Sequence, residues 1–153
     1  MWTPALGRDK SVKSMKYDFL KNNSNTFYEV KNSGIQLLEK ELGIQIPADL
    51  LDFWKNIGYG FIASDNNANR IMDHISTIDF RLRQGDFEYM PDIELYDEYE
   101  TGKLIFFEAN ESAYISIGYS EENMGKIFYY DTEIASSLTD FLGKIQINHY
   151  CPR

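Results

Sequence analysis

Apolar residues fall at helical spacing in two neighbouring stretches of the chain. After Asn32-Ser33, either of which can cap a helix, Ile35, Leu38 and Leu42 recur at i, i+3 and i+7 until Gly43, predicting one helix. Pro47 sits where a first helical turn tolerates a missing N–H, and Asp49 favours the positive helix end. Leu50, Phe53, Trp54 and Ile57 then form a second stripe that stops at Gly58. Further on the period changes: KLIFFEA (103–109), SAYISIG (112–118) and KIFYYD (126–131) read as three strands of an antiparallel meander. In the middle run Tyr114 and Ser116 alternate with Ala113, Ile115 and Ile117, the pattern of a sheet with one buried face. A closing helix, capped by Asp131 or Thr132, carries Ile134, Leu138, Phe141, Leu142 and Ile145 and is expected to lie on that sheet.

The remaining pattern is weaker. Residues 11–21 predict a short helix with Val12, Met15, Phe19 and Leu20 near one face, and FYEV at 27–30 predicts an edge strand. RIMDHISTIDFRLR, 70–83, reads as a strand edge followed by a helical turn, and Gly58-Tyr59-Gly60 as a helix end with a chain reversal. There is no internal repeat. The fold class expected is α+β, a single domain with helices packed around a mostly antiparallel sheet.

Composition adds a bound and a direction. A length of 153 residues with 43% hydrophobic and 25% charged is enough for one sizeable core. Residues 1–60 hold eight bases and seven acids, whereas residues 61–153 hold seven bases and seventeen acids. The field is therefore set by the later part of the chain. It repels phosphate backbones and anionic headgroups, which disfavours nucleic acid and membrane surfaces and fits a basic protein partner, or none. No run approaches the ~20 apolar residues of a membrane span, and MWTPALGRDKSVK lacks the apolar stretch of a secretory signal, so a cytoplasmic location is expected. The single cysteine, Cys151, has no partner for an internal disulfide.

One stretch concentrates that charge. DFEYMPDIELYDEYE, 86–100, holds seven carboxylates and four aromatic rings in fifteen positions and no Lys or Arg. Its readings are a metal or acid/base site, a surface made for a basic partner, or a well-solvated loop. Asp92, Glu94, Tyr96, Asp97, Glu98, Tyr99 and Glu100 are the candidate partner-contact residues, with Tyr96 and Tyr99 as anchors among the acids.

Other chemistry finds little footing. Asp65, Asn67 and Asn69 imitate the first, third and fifth positions of a calcium loop, but Arg70 replaces the turn glycine and Ser76 the closing glutamate. His74 and His149 are far apart in sequence and nothing pairs either with a zinc or nucleophile set. Gly58-Tyr59-Gly60 follows a helix and precedes no Lys-Ser/Thr, so it is no phosphate loop. Glu108 and Glu111 flank a hairpin turn and offer a carboxylate pair of the kind hydrolysis needs, though among twenty-four acids some pair will always look suitable; an uncharacterised hydrolase is the alternative this leaves. No catalytic residue, metal or cofactor is otherwise expected.

LLEKELGIQIPADLLDFWKNIGYG resembles the SUKH superfamily: an acidic first helix with Glu39 and Glu41, Leu42-Gly43-Ile44, Ile46-Pro47, Phe53-Trp54 and a glycine-rich exit. LIFFEANESAYISIG looks like that family's central hairpin, GKIFYYD like its next strand and IASSLTDFLGKI like its closing helix, so the resemblance spans roughly residues 33 to 145. Tyr59 interrupts the usual glycine pair. The resemblance implies a SUKH-like domain over 33–153 behind an extension, 1–32, made of a short helix and an edge strand. By family it implies an intracellular immunity protein that binds and neutralises a cognate secreted polymorphic toxin, often a nuclease domain. The alternative it implies is a non-catalytic interaction hub of the fungal cell-wall-regulator type. No catalytic residue carries over.

Overall fold

The computed structural model describes residues 17–20, 25–64, 67–109 and 113–148. Both helical stripes form: α1 spans Asn32–Leu42 and buries Ile35 and Leu38, and α2 spans Ala48–Asn56 and buries Leu50, Phe53 and Trp54. Their starts differ from expectation. Lys31 occupies the cap of α1 in extended backbone and no side chain caps it, so neither Asn32 nor Ser33 plays that part. Pro47 is itself the cap residue of α2 rather than its first helical residue.

The sheet is larger than the predicted meander. Among the described residues it has seven strands: β1 Thr26–Tyr28, β2 Tyr59–Ser64, β3 Asn67–Ile71, β4 Lys103–Ala109, β5 Ala113–Gly118, β6 Ile127–Tyr129 and β7 Thr132–Ala135. They lie side by side in chain order, each antiparallel to the next. The edge strand expected near 27–30 is β1, and the mixed pattern at 70–83 resolves into the end of β3 followed by α3, His74–Leu82. Gly58-Tyr59-Gly60 leads into β2. Gly58 and Gly60 have φ of 115° and 150°, and a Cβ on either would run into a carbonyl oxygen of β1, of Tyr28 or of Thr26 respectively. Only glycine lets the edge strand come that close.

Residues before 32 share in this body. Tyr17 and Leu20 are fully buried in the main core with Val30 and the helices, and β1 is bonded into the sheet. Val12 and Met15 of the predicted short helix lie outside the described residues.

β5 departs from the one-faced pattern, since all six of its residues are buried. Ala113, Ile115 and Ile117 join the main core with α1, α2 and the closing helix, while Tyr114 joins a second cluster with Met72, Phe80, Phe87, Ile93, Tyr96 and Ile105 on the opposite face. In β4 the register slips between Ile105 and Phe107, leaving Phe106 as the extra residue of a bulge. Phe106 and Phe107 thereby both enter the main core and meet Phe141.

The closing helix, α4, spans Leu138–Asn148, later than its stripe predicted. Residues 132–135 are β7, so Ile134 belongs to an edge strand rather than to the helix. Ser137 caps instead of Asp131 or Thr132: its Oγ accepts from the Asp140 N–H at 3.1 Å, and Asp140 accepts from the Ser136 N–H at 3.3 Å. Leu138, Phe141, Leu142 and Ile145 are fully buried. Ser137→Ala should therefore cost about 1 kcal/mol in urea melts. A change inside the scatter of repeated melts would mean that the buried stripe alone holds the helix start.

Candidate partner-binding site

The acidic stretch is not an irregular loop. α3 ends where Arg83 takes left-handed backbone (φ 57°), and the chain turns through a 3-10 turn, Gly85–Phe87, and then a longer one, Ile93–Tyr99. A 3-10 turn has three residues per turn, so residues three apart share an edge. IELYDEY fits that period: Ile93, Tyr96 and Tyr99 form one edge, Glu94 and Asp97 a second, and Leu95 and Glu98 a third. Burial follows the first edge toward the sheet, with Ile93 and Tyr96 buried and Tyr99 half-buried, while Glu94, Leu95, Asp97 and Glu98 are exposed.

This places the candidate contact residues in two groups. Asp92, Glu94, Asp97 and Glu98 face solvent beside the half-buried Tyr99. Tyr96 and Glu100 are internal. Tyr96 is 4% exposed, sits edge-on to Phe80 at 5.6 Å and Tyr114 at 5.7 Å, and stacks on Tyr130 at 4.9 Å. Its hydroxyl accepts from the Tyr114 N–H at 3.3 Å. It is thus a core tyrosine that props up the turn, not an exposed anchor.

Glu100 answers to Arg83. The Arg83 guanidinium donates to Glu100 at 2.6 Å, to Asp97 at 2.7 Å and to the Phe80 carbonyl, and lies over the Phe80 ring at 5.1 Å. Burial pushes the Glu100 carboxyl above its ordinary range, with Arg83 pulling the other way. Burial would lower the Arg83 value, but Asp97 and Glu100 outweigh it and hold it higher. Composition drew attention to the acids and passed over Arg83, the base that precedes them and ties the turn to the end of α3.

The second missed feature is the β6–β7 hairpin. Tyr129 faces Thr132 across the ladder, which leaves Tyr130-Asp131 as a two-residue loop. Tyr130 has φ 57°, a conformation that hairpin loops usually give to Gly, Asn or Asp. Its ring meets Tyr129 at 4.6 Å and Tyr99 at 5.2 Å, besides Tyr96. Between this hairpin and the Ile93–Tyr99 turn opens a groove of about 560 Å³, floored by Tyr99, Tyr129 and Tyr130 and rimmed by Glu94, Asp97, Glu98 and Asp131. Among the described residues, Glu94, Glu98 and Asp131 have no ion-pair partner, whereas Asp97 is held by Arg83. The charge of Glu98 pushes the Tyr99 hydroxyl upward.

The other candidates are structural in their surroundings. Glu108 pairs with Arg70 at 3.3 Å and accepts from the Tyr114 hydroxyl at 3.2 Å; burial, with Glu108 next, pushes that hydroxyl up to about 12. Glu111, the predicted partner of Glu108, lies outside the described residues. Asn67 and Asn69 are strand residues of β3, and Asp65 lies outside the described residues. His74 opens α3 and rests on Gly34 of α1, where a Cβ would overlap its ring. His149 and Cys151 lie outside the described residues. Among the described residues no helix is long and apolar enough to cross a membrane.

Comparison with known proteins agrees with the resemblance read from the helical pair and hairpin. Immunity protein YxxD of Bacillus subtilis (strain 168) is 52% identical over 136 residues, which are 88% of this chain and 92% of the relative. The model of the SMI1 / KNR4 family (SUKH-1) matches residues 29–144, from the end of β1 into the closing helix, and the chain belongs to that family.

Proposed function

We propose that this chain is an immunity protein: it binds a cognate toxin domain in the cytoplasm of the cell that makes it and blocks that toxin without catalysing any reaction. The observation that carries this reading is the 52% identity, over 88% of the chain, with a relative named as an immunity protein. The toxin-facing surface is the outward side of the Ile93–Tyr99 turn, with Asp92, Glu94, Asp97, Glu98 and Tyr99, while Tyr96 and Glu100 hold that surface from beneath. A basic toxin domain fits it, and a nuclease is the class whose cleft must be basic. Complementary fields of this kind lift association toward ~10⁸–10⁹ M⁻¹s⁻¹ at low salt, which suits capture before damage.

The test is co-expression with each toxin domain that neighbouring genes encode, followed by binding kinetics with the one that is neutralised. Wild-type chain should restore growth. Glu94→Lys with Glu98→Lys should slow association at least ~tenfold at low salt and flatten its salt dependence, because steering is screened over ~8 Å at physiological ionic strength. Those two positions are chosen because neither holds Arg83, so the turn keeps its anchor. Growth that fails to recover with wild-type chain would sink the immunity reading. Recovery with unchanged kinetics in the variant would place the toxin on another face.

A further inference from the structure

We propose that the groove between the Ile93–Tyr99 turn and the β6–β7 hairpin is a receptor for one arginine side chain of the partner, a contact that rests on the immunity reading above and gives it a chemical key. The floor is aromatic and the rim is anionic, and each half selects for a different part of the same ligand. The rings of Tyr99 and Tyr129 flank that of Tyr130 at 5.2 and 4.6 Å, a cluster of ring faces that attracts a cation. Glu94, Glu98 and Asp131 on the rim lack ion-pair partners among the described residues, so a guanidinium entering there meets carboxylates whose charge is not already neutralised. Leu95, 54% exposed at the same rim, offers apolar cover for the methylene stem. The groove, at about 560 Å³, falls within the ~300–1,000 Å³ of sites that enclose small ligands.

Asp97 at the rim is already held by Arg83, and Glu100 behind it lines a separate hollow with Arg81, Arg83 and Thr101, so the unpaired acids Glu94, Glu98 and Asp131 are the ones this groove offers a cation. Arginine suits these demands better than lysine. Its guanidinium is flat enough to lie on a tyrosine ring while its edge presents several N–H groups to carboxylates, whereas an ammonium is a compact, strongly hydrated point charge.

The probe is Nα-acetyl-arginine amide, titrated into the full chain while the tyrosine ring protons are followed by two-dimensional NMR. Saturable shifts of Tyr99, Tyr129 and Tyr130 are expected, with a millimolar dissociation constant. Acetyl-citrulline amide, which keeps the shape without the charge, should give none, and acetyl-lysine amide should bind several-fold more weakly. Glu94→Gln with Glu98→Gln should weaken the arginine response about tenfold. Tyr130→Gly, which suits the left-handed backbone while removing the ring, should abolish it in a chain whose remaining resonances stay dispersed. Absence of ring shifts with arginine overturns the proposal, and so does a citrulline response of equal size or tighter binding of lysine. The immunity reading fails separately: a chain that binds acetyl-arginine amide in the groove but neither captures nor neutralises the toxin keeps the receptor and loses the partner. A chain that protects cells while Tyr130→Gly and Asp131→Asn leave toxin dissociation unchanged keeps the partner and loses the receptor.

Discussion

Tyr96→Ala is expected to lower the unfolding free energy by about 3–5 kcal/mol, the range for truncating a buried aromatic ring. The ring is in contact with Phe80, Tyr114 and Tyr130, so its removal opens a void that three separate segments would have to close together. It also leaves the buried Tyr114 N–H without the hydroxyl that accepts from it. Tyr96→Phe separates these effects, keeping the ring while removing the acceptor, and should cost about 1–2 kcal/mol. Urea melts of both variants are the measurement. A loss below about 1 kcal/mol for Tyr96→Ala would show that the turn folds away from the second cluster. Weakened toxin binding by this variant is to be read as loss of the turn's support. Tyr99, on the same edge but half-buried, is where truncation reports on contact.

Arg83→Met should be nearly as costly, at about 3–4 kcal/mol near neutral pH, since breaking a buried pair leaves the surviving charge uncompensated. The survivor is Glu100, whose side chain is 7% exposed. A double change, Arg83→Met with Glu100→Met, should recover most of the loss, because apolar side chains of similar size need no counter-ion. The deficit should also depend on pH in a definite direction. The Glu100 carboxyl sits above its ordinary value of 4.5 when folded, so its contribution is complete below that value and is lost as pH rises through the folded one. Removing Arg83 removes the influence that opposes the rise, and the folded value climbs further. The cost of Arg83→Met should thus be small at pH 4 and grow toward neutrality. A cost that is flat with pH, or no recovery in the double variant, would show that Glu100 reaches water once Arg83 is gone.

Where one period ran unbroken through an element, the fold was legible. Ile35, Leu38 and Leu42, then Leu50, Phe53 and Trp54, announced α1 and α2, and the runs at 103–109 and 112–118 announced the central hairpin. Errors arose where two signals overlapped. Ile134 stands four residues before Leu138, so an edge-strand residue extended a helical stripe by coincidence. Gly58 precedes β2 and Gly60 is its second residue, and glycine argues against a strand until the close approach of β1 is known. β5 looked one-faced because Tyr114 and Ser116 read as polar, although a tyrosine buries most of its area when its hydroxyl finds a carboxylate such as Glu108.

The candidate site was legible by composition and hidden in geometry. Seven acids in fifteen residues marked the place, but exposure was decided by a three-residue period. Tyr96 and Tyr99, alike in sequence, differ in burial because only the first lies deep against Phe80 and Tyr114. Tyr129, Tyr130 and Asp131 come from a distant hairpin whose loop puts a tyrosine in left-handed backbone where Gly, Asn or Asp is usual, so no local signal tied them to the acidic stretch.

The neighbour-to-neighbour strand order bears on how the molecule assembles. Each strand pairs only with the strands before and after it in the chain, so β2–β3, β4–β5, β5–β6 and β6–β7 can close as soon as their sequence is available, while β1–β2 waits for α1 and α2, and β3–β4 for α3 and the acidic turn. A chain emerging from the ribosome can thus lay down β1 to β7 in order of synthesis. The last helix reaches furthest, touching α2 and β2 from near the other end of the sequence. Its docking closes the long loop and couples the early strands to the late ones. An otherwise stepwise ribbon is thereby given a latch, and unfolding should begin where that latch lifts.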